Sequence, residues 1–216
     1  MTGLVDWDLH QDGARLLAIR REGEGQQLLD IDTRSGQSRI LGVTSADARW
    51  HETVRGGGYV FLHGNASLSV RGVAARADTV FDRVGRFIQI HSLDPSPDGQ
   101  SVAVAGWIQS TDSVVLARLD LRSGTTTELI ALPGEGVGAP TWLSSGALLI
   151  PILESQFSEA WYVLEPGARE ATRLGLAPRT SATYRFARSG LRGVAREQTQ
   201  RSDVYVIRGS GIVPGR

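Results

Sequence analysis

The chain contains no cysteine, which excludes a disulfide framework, thiolate metal ligation and a cysteine nucleophile. It contains no lysine either, so all 23 basic residues are arginine. A GC-rich genome produces such a bias, together with the wealth of Ala and Gly and the lone Asn65. Arginine selected for bidentate anion contacts would cluster, yet Arg20-Arg21 is the only adjacent pair. The 23 acidic residues bring the net charge to zero. There is then no basic excess to displace counterions from a nucleic acid or to reach anionic headgroups. Long apolar runs are missing as well. The longest, Ala147 to Leu153, is broken by Pro151, whereas a spanning helix needs about 20 apolar residues, so no membrane insertion is expected. Met1 to Ile19 carries Asp6, Asp8, His10, Asp12 and Arg15 and does not read as a signal peptide.

What is present is a length of 216 residues with 41% apolar side chains, enough for one domain with a substantial core and no staple. Internal repetition organises it. Trp7, Trp50 and Leu93 recur at 43-residue intervals, and Trp142 and Tyr184 extend the series. A glycine turn follows each anchor, at Asp12-Gly13, Arg55-Gly56, Asp98-Gly99, Ser145-Gly146 and Ser189-Gly190. Next comes a short apolar run: Leu16 to Ile19, Tyr59 to Leu62, Val102 to Ala105, Leu148 to Ile150, and more weakly Leu191 to Ala195, which Arg192 interrupts. Unbroken apolarity over three or four residues fits a strand covered on both faces. A third strand follows in each unit, as in Leu28 to Ile31 and Val114 to Ala117, then a second glycine turn and an outer strand such as Ser38 to Leu41 or Thr126 to Ile130.

Four short antiparallel strands per 43 residues form the blade of a β-propeller. A sandwich would not repeat an aromatic and a glycine turn in register five times. The expected fold is therefore all-β, a single propeller of about five four-stranded antiparallel blades, or a fragment of a six- or more-bladed one. The blades are placed at residues 3–44, 45–86, 87–134, 135–177 and 178–213. Val73 to Val84 carries a weak helical pattern and makes the second unit the least regular.

The segment Leu93-Asp94-Pro95-Ser96-Pro97-Asp98-Gly99, with Val102-Ala103-Val104 after it, resembles the Ser-Pro-Asp-Gly signature of the WD40-like (PD40) repeats in TolB-type propellers. Leu119-Asp120-Leu121-Arg122-Ser123-Gly124 and Asp30-Ile31-Asp32-Thr33-Arg34-Ser35-Gly36 resemble that family's third strand and turn. The resemblance runs from Leu4 to about Val213 and is close in the first and third units. It implies a propeller that is typically six-bladed and an extracytoplasmic, periplasmic location. Similar repeats also gate the active sites of prolyl-oligopeptidase-type hydrolases and occur as sensor domains of bacterial kinases. The motif speaks for a fold and is nearly silent on activity.

The topology separates two ends. Both glycine turns of each blade fall on one end, and the second-to-third loops with the blade crossings fall on the other. Those loops, Arg20 to Gln26, His63 to Ala66, Trp107 to Asp112, Glu154 to Glu159 and Glu197 to Ser202, are expected to be the longer and more variable ones. Trp107 and Phe157, with Gln109, Asp112, Gln156 and Arg201 beside them, suit a protein or peptide contact there, against the alternative that the aromatics fold over the core. Arg49, His51, His91 and Asp94 lie on innermost strands and are candidates to line the channel. No histidine pair has helical ligand spacing and no carboxylates follow a calcium-loop pattern, so neither a metal nor a cofactor is expected.

No nucleophile elbow, zinc-protease motif or nucleotide-binding loop is found. Gly134-Glu135-Gly136-Val137-Gly138 is read as a blade linker, because Pro140 follows it and no strong strand precedes it. Asn65-Ala66-Ser67 is formally a glycosylation sequon, of a kind common by chance. The expected function is a non-enzymatic protein- or peptide-binding module without catalytic residues. The alternative is an accessory propeller of a larger enzyme, a prolyl-oligopeptidase-type hydrolase or a sensor kinase, whose catalytic domain lies outside this chain. A third option, activity at the channel, would require His51 or His91 to converge with an acid.

Overall fold

The computed structural model describes residues 4–9, 14–23, 25–44, 49–54, 58–71, 79–109, 113–155, 158–176, 182–186, 192–197 and 204–208. Among them every regular element is a strand, and the strands form antiparallel meanders. Blade one holds β1 (Leu4–Leu9), β2 (Arg15–Glu22), β3 (Gly25–Asp32) and β4 (Ser38–Thr44). Blade two holds β5 (Arg49–Val54), β6 (Gly58–His63), β7 (Ser67–Arg71) and β8 (Thr79–Phe81). Blade three holds β9 (Phe87–Pro95), β10 (Ser101–Ile108), β11 (Ser113–Asp120) and β12 (Thr126–Pro133).

In blade four the innermost strand is split into β13 (Gly136–Val137) and β14 (Thr141–Trp142), both paired with β15 (Leu148–Ser155), which continues to β16 (Ser158–Leu164) and β17 (Thr172–Leu176). Blade five comprises β18 (Ala182–Phe186), β19 (Arg192–Glu197) and β20 (Val204–Arg208) among the described residues. Residues 209–213 of the expected fifth blade lie outside them, as do residues 73–78 of the weakly helical stretch, of which Thr79–Phe81 form strand β8. Innermost strands lie side by side from blade to blade: β1 against β5, β5 against β9, β9 against β14.

Why the second and third strands are apolar at every position is clear from what each face meets. Side chains alternate across a strand. Along β6, Tyr59 and Phe61 turn toward blade one and pack on Leu17, Ile19 and Leu28. Val60 and Leu62 turn the other way and join Leu93, Val102, Val104, Val115 and Ala117 of blade three. The remaining positions of β10 and β11, Ala103, Ala105, Val114 and Leu116, pack on Leu148, Ile150, Ile152 and Tyr162 of blade four. The core is thus a series of layers between sheets, and each blade needs a neighbour on both sides.

The turns show the repeat at atomic level. Asp32 accepts bonds from the Arg34 and Ser35 backbone N–H groups at 3.0 and 2.7 Å and from the Ser35 hydroxyl at 2.9 Å. Asp120 accepts from Arg122 N–H, Ser123 N–H and the Ser123 hydroxyl at 3.1, 2.7 and 2.8 Å. Gly36 and Gly124 close the two turns at φ of 71° and 72°, a conformation other residues adopt only with strain. The Ser-Pro-Asp-Gly turn is equally self-contained. Ser96 Oγ donates to Asp98 Oδ1 at 2.5 Å and accepts from Ser101 N–H at 3.0 Å, and Asp98 Oδ1 accepts from Gln100 N–H at 2.9 Å.

Candidate functional site

Hydrogen bonds between turns fix the two ends of the molecule. Thr33 N–H donates to Ala14 O and Leu121 N–H to Gln100 O, so the first and third turns of a blade share one end. At the opposite end the β6–β7 turn bonds to the crossing into blade three, through Val84 N–H to Ala66 O and Ile90 N–H to Asn65 O.

Two of the loops expected to be long at that opposite end, Arg20 to Gln26 and Glu154 to Glu159, are largely taken up by the strands on either side. Arg20 to Glu22 belong to β2, Gly25 and Gln26 to β3, and Glu154 and Ser155 to β15. Alternating backbone pairing extends them further than their apolar runs do, with Glu22 paired to Gly25 and Ser155 to Ser158. Trp107 accordingly sits inside β10 and not in a loop. It is 36% exposed and lies at the same end as Ile88, a second exposed apolar side chain that the sequence pattern did not single out.

A backbone irregularity adjoins Trp107. Ala105 pairs with Ser92 and Gly106 with Ile90, which leaves His91 as the extra residue of a β-bulge. Its imidazole lies 5.7 Å from the Trp107 ring, centroid to centroid, at 58°. Gly106 allows the approach: a Cβ built on it would fall 2.1 Å from the Gln89 carbonyl oxygen and 2.8 Å from Ile90 Cα. His91, a channel candidate on innermost strand β9, is thus a ring neighbour of Trp107. Gln109 is exposed beside them. Asp112, Gln156, Phe157 and Arg201 lie outside the described residues.

Of the other channel candidates, Asp94 is engaged between blades. Its carboxylate Oδ2 accepts from Trp142 N–H at 2.7 Å and its carbonyl from the Trp142 indole N–H at 3.1 Å. Ser92 adds a parallel tie, its hydroxyl donating to Gly138 O at 2.7 Å. Arg49 and His51 fall on β5, and their side chains lie outside the described set. Gly134 and Gly138 lie against β15, where a Cβ would come within 2.6 Å of the Ile152 and Pro151 side chains. That close packing explains the glycine-rich run without any anion.

The carboxylates at this end divide by environment. Glu154 receives Arg173 through Nε and Nη2 at 2.8 and 2.9 Å and the Tyr162 hydroxyl at 2.5 Å. The Arg173 hydrogen bond, then that of Tyr162, holds its carboxyl down at about 2. Glu159, on the hairpin's second arm opposite Leu153, has its carboxyl pushed up by burial. Among the described residues no three His, Asp or Glu side chains converge as a metal-ligand set.

No family model matches the chain, and no curated protein matches it. Solved structures do. TolB from Acinetobacter baumannii superposes with a TM-score of 0.75 at 14% identity, over 98% of this chain and 53% of that one. An oligogalacturonate lyase in complex with manganese gives 0.66 at 11% identity, over 95% and 65%. The β-propeller domain of the Trilobed protease from Pyrococcus furiosus, described as having an open velcro topology, gives 0.62 at 12% identity, over 97% and 70%. The fold is that of TolB-type β-propellers, shared with propellers of peptidases and lyases. This chain spans between about half and seven-tenths of the length of those three chains.

Proposed function

We propose that this propeller is a non-enzymatic binding module that displays Trp107 to a protein or peptide. The observation that carries this reading is an aromatic side chain over one-third exposed that stands beside the ring of His91, the extra residue of the β9 bulge. An exposed indole offers a large contact that is desolvated on binding, the property of an interface anchor. Gln109, exposed next to it, supplies a polar group for orientation. The test is panning of a displayed peptide library on the folded chain, with affinities of the selected peptides measured by calorimetry. Trp107→Ala, and more strongly Trp107→Ala with Phe157→Ala, is expected to weaken binding at least tenfold, about 1.4 kcal/mol. Affinity unchanged in a variant with wild-type circular dichroism overturns the reading.

A second reading, an accessory propeller of a larger enzyme, is favoured by one observation. A propeller that is one domain of a protease matches 97% of this chain. The flanking reading frame and the mass of the native polypeptide test it, since the reading requires an attached catalytic domain.

A further inference from the structure

We propose that the mouth of the seam between blades three and four seats a cationic side chain, arginine or lysine, of the bound protein or peptide. The inference rests on the reading of Trp107 as a binding anchor and adds to it the chemistry of what is bound.

Position comes first. Side chains alternate along β10, and Ala103 and Ala105 pack on blade four. Trp107, two residues further on, therefore faces the same seam where the strand leaves the core. Its cross-strand partner is Gln89, and the register shifts on both sides of this pair. His91 is the extra residue of one bulge and Ile88, 46% exposed, that of the other.

From the opposite side, β13 of blade four runs beside β10. It is tied at this end to β15 through Glu135 N–H, which donates to Leu153 O at 2.7 Å. Gly134 and Gly136 carry no side chain, so Glu135 is what this stretch of the crossing offers, and it is exposed. Among the described residues no hydrogen bond or ion pair engages its carboxylate.

The other charges at this end of the seam cancel or turn away. Tyr162 packs in the layer between blades three and four, and its hydroxyl meets Glu154, whose carboxylate is taken up by Arg173. Glu159 alternates with Ala160 and Tyr162 and so lies on the far face of blade four. Among the described side chains the mouth thus keeps one negative charge, that of Glu135, on the strand beside Trp107. An indole and an uncommitted carboxylate bordering one opening are the chemistry of cation recognition. The face of the ring attracts a guanidinium or ammonium, the carboxylate adds a charge-assisted hydrogen bond, and the aliphatic stem of the side chain finds apolar surface at Trp107 and Ile88. An acidic side chain would be repelled by Glu135, and an apolar one would desolvate it without a partner.

The test is heteronuclear NMR of the nitrogen-labelled protein, reading the Trp107 indole N–H, assigned by its loss in Trp107→Phe. The titrants are Nα-acetylarginine methylamide and its neutral isostere Nα-acetylcitrulline methylamide. A saturable shift is expected with the arginine derivative, weakened roughly fivefold or more in Glu135→Gln, and none with the citrulline derivative. An equal response to both titrants would mean an apolar contact only, and a response unchanged in Glu135→Gln a ring contact without the carboxylate. Either result, or no response at all, overturns the proposal. Resonances away from Trp107 report whether Glu135→Gln keeps the fold. The peptides selected on the protein separate this proposal from the anchor reading. Affinity lost in Trp107→Ala but kept in Glu135→Gln leaves the anchor standing and overturns the cation seat, whereas affinity kept in both variants overturns both.

Discussion

At the scale of single residues, stability in this protein rests on carboxylates that are hydrogen-bonded at turns and hairpin ends. Asp32 and Asp120 have the same three donors in the same geometry, and those bonds, led by the serine backbone N–H, lower both carboxyls below their usual 3.8. Asp32→Ala and Asp120→Ala should therefore lower Tm by similar amounts, a few degrees each, in parallel thermal melts. Glu154 makes the pH dependence explicit. A carboxyl depressed from 4.5 to about 2 contributes stability that is complete above its unfolded value and is lost as pH falls through the folded one. The Tm difference between wild type and Glu154→Gln should be constant above pH about 5, shrink as pH falls, and vanish only below about pH 2. Glu159 has the opposite sign. Its raised carboxyl opposes folding when ionised, so Glu159→Gln should stabilise at neutral pH and have no effect once pH falls below the ordinary value of 4.5.

At the scale of elements, the hairpins are rigid because their partners leave no slack. Gly106 lets β10 pass directly over the bulge in β9, and the atom that blocks a Cβ there is a backbone carbonyl, which cannot rotate away. Gly106→Ala is expected to cost about 3 kcal/mol in urea denaturation, by forcing the two strands apart. The same variant should loosen the His91–Trp107 contact and raise the acrylamide quenching of Trp107, measured against a Trp107→Phe background. The expectation of a long loop from Arg20 to Gln26 failed at this scale. Polar residues such as Arg20, Arg21 and Glu22 do not end a strand when the backbone ladder can continue and their side chains reach water.

At the scale of the whole molecule, the core is a stack of layers, so its energetics are those of neighbour contacts between blades. Leu116 is buried between blades three and four, and Leu116→Ala should destabilise by about 3 kcal/mol, as a cavity in either neighbour's interior would. Tyr162 lies in that layer too and carries the Glu154 bond at its tip, so the layer is tied at its end by the pair whose pH response was given above.

The strands and their order were legible in the amino-acid pattern. Runs such as Val102-Ala103-Val104-Ala105 have one physical solution, a short strand covered on both faces, and Asp-Gly and Ser-Gly pairs at fixed offsets mark where the chain reverses. The candidate site was legible only in part. Trp107 could be named as an aromatic near a strand end. Its contact with the His91 ring could not, because a one-residue register shift in β9 moves a side chain to the other face and leaves no mark in composition. Asp94 was placed at the channel by its strand, whereas its task, binding Trp142 of the next blade, depends on a neighbour 48 residues away.

By itself, then, the sequence determined the repeat, the all-β class and the propeller, since strand length, two-faced apolarity and turn chemistry are local properties that recur with the period. Only the tertiary structure decided which polar side chains serve the core and which meet solvent. It also decided that Trp7 and Trp107, alike on paper, are exposed across from a buried Ala18 and beside a bulge respectively. Contacts between blades join residues a full period apart, and no local pattern encodes what the neighbouring blade will present.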